Sequence, residues 1–175
     1  LADLPRFLAA AEARASRAQK PTGSISAEAA LALHALSRRF RPRVVIEVGT
    51  YIGTSTLALQ ARDMLYTCDR DNDCLPPQPR VTPHPFTASH VMLARLIEQG
   101  VVADLCFFDG RLAPGDVPLI LRTTHPKTVL VFDDAVGEEK GVHNLRLLRP
   151  WFQEHLVTDT PANTTLAALV PRSLL

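Results

Sequence analysis

From residue 43 onward the chain alternates short β-rich runs with helical stretches, and that alternation restricts its fold more than any other feature. Runs at 44–48, 64–68, 80–82, 104–108 and 128–132 are separated by candidate helices at 55–61, 89–99 and 114–123. Strand, crossover helix and strand in repetition imply βαβ units and a parallel sheet. The runs are nearly continuously apolar, which predicts strands buried on both faces. A further helix is predicted over 142–153, then two closing strands near 156–158 and 165–170, making seven.

Ahead of this core, residues 1–40 read as two helices. Leu4, Phe7, Leu8 and Ala11 share one helical face, and Pro21-Thr22-Gly23 breaks the chain. Ser26 is placed to cap the second helix, with Glu28 in its first turn and Leu33, Leu36 and Phe40 continuing an apolar stripe up to Pro42. At 175 residues the chain has the length of one domain. We therefore expect a single unit over 1–175, with helices over 1–40 on or near the site and a core over 43–175.

Composition narrows the function. Hydrophobic residues at 46% and charged ones at 21% are those of a globular domain, and no apolar run approaches the ~20 residues a membrane span needs. Nineteen basic against eighteen acidic residues leave too little charge for the usual nucleic-acid footprint. Cys68, Cys74 and Cys106 match neither a disulfide framework nor a zinc spacing, and the first twenty residues lack the uninterrupted apolar core of a signal peptide. A reducing cytoplasm is the expected setting. A small molecule is the expected partner, without nucleic acid or membrane, and a homodimer stays open.

In an open parallel sheet, ligands bind beyond the carboxyl ends of the strands. The first strand ends in Glu47-Val48-Gly49-Thr50-Tyr51-Ile52-Gly53-Thr54-Ser55, an E-x-G-x-x-x-G-x-S loop leading into a helix. Its glycines permit a tight turn and close backbone approach to a ligand. The third glycine of a dinucleotide loop is missing and no Tyr-x-x-x-Lys pair occurs, which argues against a nicotinamide-dependent dehydrogenase. An acid in the loop suits a ligand with a positive group, although a plain strand-to-helix turn with Glu47 solvated would read the same way. Asp69 ends the second strand 22 positions after Glu47, where a carboxylate grips ribose hydroxyls, or where a loop aspartate simply makes a turn. Asp109 ends the fourth strand, and Asp133 and Asp134 end the fifth. With neighbouring strands ~4.8 Å apart, these carboxylates can converge on a shared cation, and hard oxygen ligands suit Mg²⁺ or Ca²⁺. Asp133 as a loop cap and Asp134 as a solvated residue is the competing reading.

Taken in order, these pieces resemble class I S-adenosylmethionine-dependent methyltransferases, and among them the O-methyltransferases related to catechol O-methyltransferase and the macrolide-sugar methyltransferases. The carriers are EVGTYIGTS, Asp69, Thr87-Ala88-Ser89-His90, Phe107-Phe108-Asp109-Gly110 and Val131-Phe132-Asp133-Asp134. The resemblance runs from about residue 21 to the C-terminus. It implies a doubly wound, mostly parallel seven-stranded α/β sheet of the Rossmann-like methyltransferase type, binding S-adenosylmethionine. Gly49, Tyr51, Gly53 and Ser55 would line the cofactor's methionine end, with Glu47 supporting the loop and the amine and Ile25 and Ser26 nearby. Asp69 would take the ribose, Ser89 would lie against adenine, and Asp109 would touch both cofactor and chemistry. Asp109, Asp133 and Asp134 would hold magnesium, which would acidify a hydroxyl of a small acceptor for methylation. Where the catechol enzyme has a lysine base this chain has Leu112, with Arg111 adjacent, and arginine is a poor base. A metal-independent methyltransferase and a cofactor-binding protein without catalysis are the alternatives.

Overall fold

The computed structural model describes residues 24–71, 78–160 and 164–171, together with Ala9 and Ala13, which are helical. The rest of the first predicted helix, the Pro21-Thr22-Gly23 break and Cys74 lie outside the described residues. The order of elements is α1 (Ala27–Phe40), β1 (Val44–Val48), α2 (Thr54–Ala58), β2 (Met64–Cys68), β3 (Val81–His84), α3 (Ser89–Glu98), β4 (Ala103–Phe108), α4 (Asp116–Arg122), β5 (Thr124–Phe132), α5 (Gly141–Leu148), β6 (Phe152–Thr160) and β7 (Thr164–Pro171). They form one seven-stranded sheet in the order β3-β2-β1-β4-β5-β7-β6. Strands β1 to β5 pair in parallel, whereas β7 runs antiparallel to both β5 and β6.

Side-chain alternation divides the core between the two faces of this sheet. Ile46, Val48, Cys106, Phe108, Leu130 and Phe132 point to a cluster that receives Met92, Leu93 and Leu96 of α3, Val117 and Ile120 of α4, and Leu145 and Leu148 of α5. The Phe108 and Phe132 rings stack there at 5.1 Å between centroids. Val45, Leu105, Phe107, Val129 and Val131 point to the other face, where Ala29, Ala30 and Leu33 of α1 and Ala58 of α2 cover them. Both faces are apolar because both are covered, which is why the strand sequences do not alternate.

Helix α1 begins as its sequence predicts: Ser26 Oγ accepts from the Ala29 N–H. That hydroxyl serves the helix end, and Ile25 is core. The predicted helix over 142–153 stops at Leu148, because Pro150 cannot donate to the helical ladder and Phe152 pairs into the sheet opposite Pro171. Trp151 is exposed and Phe152 is buried. Strand β5 starts four residues earlier than its apolar run suggests, with a register irregularity where Thr124 and Val129 pair with Ala103 and Leu105.

Candidate cofactor and acceptor site

The strand order reverses between β1 and β4: the chain steps outward from β1 through β2 to β3, then returns to lay β4 on the other side of β1. A crevice at the carboxyl ends of the strands is expected at that point. Backbone hydrogen bonds lock the strand ends into a staircase. The Cys68 carbonyl accepts from Gly49 and Thr50 N–H at 3.0 and 3.2 Å, the Val48 carbonyl from Asp109 and Gly110 at 2.9 Å each, and the Phe108 carbonyl from Asp133 at 3.1 Å. Gly49, Asp109 and Asp133 are thereby fixed to the neighbouring strand ends.

Gly49 has φ +100°, and a Cβ there would stand 2.7 Å from the Gly110 backbone nitrogen. The close approach that needs this glycine is to the chain's own backbone. Beyond it Tyr51 is left-handed at φ 44°, and Gly53, at φ 79°, opens α2. Glu47 lies beneath this turn with no exposed surface. Its carboxylate accepts from Ser55 Oγ at 2.5 Å and Thr56 Oγ1 at 2.6 Å. Burial pushes its pKa up to about 7, against the pull of the Ser55, Thr56 and Thr67 hydroxyls. Glu47 and Ser55 thus brace the loop from below. Thr56, which completes the brace, carries no sequence motif that would single it out.

Asp69 stands where predicted, at the end of β2, but its carboxylate is already at work. Oδ2 accepts from the Tyr51 N–H at 2.7 Å and Oδ1 from the Asp71 N–H at 2.9 Å. Each oxygen keeps a second lone pair, so ribose hydroxyls can still be accepted. Ser89, expected near adenine, donates its hydroxyl to Asp116 Oδ2 at 2.9 Å, and the Ala113 N–H donates to the same oxygen. Asp116 is fully buried and its Oδ1 has no hydrogen-bond partner; His84 Nε2, at the carboxyl end of β3, also lacks one. Unpaired buried polar atoms are costly, so each of these two is a candidate to bind a ligand atom. The sequence gives no hint of Asp116, because its role depends on α3 and α4 meeting.

At the other end, Asp109 is buried and accepts from Lys140 Nζ at 2.6 Å. Its pKa is raised to about 6 by burial, with Lys140 opposing. Asp133 rises to about 7, through burial first and then the Asp109 charge. Asp134 is left-handed at φ 54° and turned against Gly137, where a Cβ would collide with its carboxylate; one at Gly141 would collide with its carbonyl. Asn144 of α5 clamps the segment after β4, accepting from the Leu112 N–H and donating to the Gly110 carbonyl at 2.9 Å each. Arg111 donates to the Glu139 carbonyl across the same gap. Lys140 and Asn144 lie outside every motif in the sequence and were not anticipated.

No family model and no curated protein sequence matches the chain. Solved structures do match it. TomG from Streptomyces achromogenes, an O-methyltransferase involved in tomaymycin synthesis and solved with S-adenosylmethionine, superposes with a TM-score of 0.69 at 20% identity, over 94% of this chain and 89% of its own. An O-methyltransferase from Bacillus cereus, in complex with S-adenosylhomocysteine, gives 0.68 at 16% over 97% and 91%. The S-adenosylhomocysteine-bound methyltransferase PaMTH1 of Podospora anserina gives 0.68 at 15% over 95% and 87%.

The chain has the methyltransferase fold. Within the methyltransferase fold, the glycine turn, Asp69 and the orphaned Asp116 and His84 atoms are chemically suited to S-adenosylmethionine. Magnesium fits less well. Asp109 is occupied by an ammonium, Asp134 is folded onto Gly137, and among the described residues no group of three or more His, Cys, Asp or Glu is placed to hold a metal ion. Of the three carboxylates expected to hold magnesium, Asp109 contacts the Lys140 ammonium and Asp134 lies against Gly137. No helix among the described residues is long and apolar enough to cross a membrane.

Proposed function

We propose that the chain is an S-adenosylmethionine-dependent methyltransferase acting on a hydroxyl of a small molecule. The observation that carries this reading is the E-x-G-x-x-x-G-x-S turn at the β1/β4 crossover, held by Asp69 on one side and Gly110 on the other. Its support from known proteins is the fold shared with O-methyltransferases that hold the cofactor or its demethylated product. Bound there, S-adenosylmethionine supplies an electrophilic methyl group on a positively charged sulfur. The chain's residues divide the remaining work. The turn over 49–53 and Asp69 hold the methionine and ribose ends, and Ser89 with Asp116 faces the base. Asp109 and Asp133 orient the acceptor and take up its proton as the oxygen–methyl bond forms and the carbon–sulfur bond breaks. The magnesium-dependent form requires Asp109, Asp133 and Asp134 to turn toward one point, and no step is assigned to the ion.

Calorimetric titration with S-adenosylmethionine tests the reading without a known acceptor. Saturable binding is expected, weakened at least about tenfold in Asp69→Ala, since hydrogen bonds to a carboxylate contribute ~1.5–3 kcal/mol each. No binding by the folded wild type would sink the proposal. Tight binding without turnover across a panel of hydroxylated acceptors would favour a non-catalytic cofactor-binding protein.

A further inference from the structure

Three carboxylates at the ends of two adjacent strands repel one another unless a cation is shared. This chain supplies one. Lys140 Nζ stands 2.6 Å from Asp109 Oδ1, a short, charge-assisted contact to a carboxylate that is almost fully buried. Burial alone would favour the neutral amine, but Asp109, Asp133 and Asp134 all act on it and hold the ammonium more firmly than in water. The backbone delivers that ammonium deliberately. Gly137 and Gly141 close the loop tightly over Asp134, the Glu139 carbonyl accepts from Arg111, and the Lys140 carbonyl accepts from the Asn144 N–H at 2.8 Å. The loop is thus tied to the β4 end on one side and to α5 on the other. A divalent ion bound to Asp109 Oδ1 would need that oxygen at ~2.1 Å for Mg²⁺, within the space the ammonium fills.

We propose that Lys140 is the cation of this site: its ammonium takes the place that a divalent ion would otherwise occupy between the strand-end carboxylates, and positions Asp109 for the acceptor. The positioning role rests on the methyltransferase reading; the exclusion of a divalent ion does not. Lysine suits the task as a compact point charge on a flexible stem, and it presents donors to a carboxylate without needing the bidentate geometry of arginine.

The test is Mn²⁺ titration followed by the electron paramagnetic resonance signal of the free ion, on wild type, Lys140→Gln and Lys140→Arg. Wild type and Lys140→Arg should leave the signal undiminished, while Lys140→Gln, with the carboxylates released, should diminish it saturably, with an affinity at least about tenfold above the wild-type detection limit, a change of ~1.4 kcal/mol. Saturable Mn²⁺ binding by wild type that disappears in Asp109→Asn overturns the proposal and needs no lysine variant to fold. Equal indifference of wild type and a folded Lys140→Gln overturns it as well, because the ammonium would then not be what keeps the ion out. Calorimetry with S-adenosylmethionine on the same wild-type sample reports separately on the methyltransferase reading, so the two can fail independently.

Discussion

Glu47 is a carboxylate with no exposed surface near the carboxyl end of β1. Its motif places it at a cofactor loop, yet the carboxylate is sealed beneath α2 by Ser55 and Thr56. The acid sits at the face-inward position of β1 that points toward α1 and α2, the side shared by Val45. A buried carboxylate with a raised pKa makes folding pH-dependent in a defined direction. Because the folded value of about 7 lies above the ordinary 4.5, the contribution to stability is fully present below pH 4.5 and is lost as pH rises through 7. The full difference corresponds to about 3 kcal/mol. Asp109 and Asp133 slope the same way, so the informative quantity is the difference between proteins. Urea unfolding at pH 5 and pH 8 should show a larger loss for wild type than for Glu47→Gln, which keeps an acceptor for the hydroxyls but cannot ionise. Equal losses would mean that Glu47 is charged in the fold.

At the scale of elements, the site is made where strand ends meet. Gly49 was expected to leave room for a ligand, whereas the structure shows β1 and β4 using it to bring two backbones together. Gly49→Ala therefore forces a Cβ against the Gly110 nitrogen at a φ that L-residues rarely adopt. A loss of about 1–3 kcal/mol of stability is expected in denaturant unfolding, together with weaker cofactor binding. Gly115→Ala is the control: φ there is −68° and nothing lies within 4 Å of the added carbon, so stability should move by less than about 0.5 kcal/mol. If Gly49→Ala is as stable as Gly115→Ala, the strand-end staircase is not rigid. Helix α5 matters for the same junction, since Asn144 fixes the segment after β4 in place of a lysine or a metal ligand from the β4 loop itself.

For the whole molecule, the parallel strands β1 to β5 present their carboxyl ends along one edge of the sheet while the two clusters on its faces hold them rigid. A ligand that binds this edge only in the folded state stabilises the entire cooperative unit. At a hundred times its dissociation constant, S-adenosylmethionine should add about 2.7 kcal/mol, or roughly 5–10 °C in Tm for a chain of this length. S-adenosylhomocysteine should act similarly, and NAD should not, since the loop lacks the third glycine. A thermal shift with NAD and none with S-adenosylmethionine would reverse the assignment.

The seven strands, their parallel core and the crossover turn were legible in the sequence because apolar runs, glycines and strand-end acids are local signals with fixed periods. Ser26 as a cap and Asp69 at the end of β2 belong to the same class. What each acid faces was not legible. Lys140 reaches Asp109 from 31 positions away, Asn144 clamps Gly110 and Leu112 from more than thirty, and Asp116 meets Ser89 across two helices. The sequence alone determined which strand ends carry charge. Only the tertiary structure decided whether those charges meet a metal, a hydroxyl or an ammonium, because burial and pairing are properties of residues brought together by the fold and leave no trace in spacing.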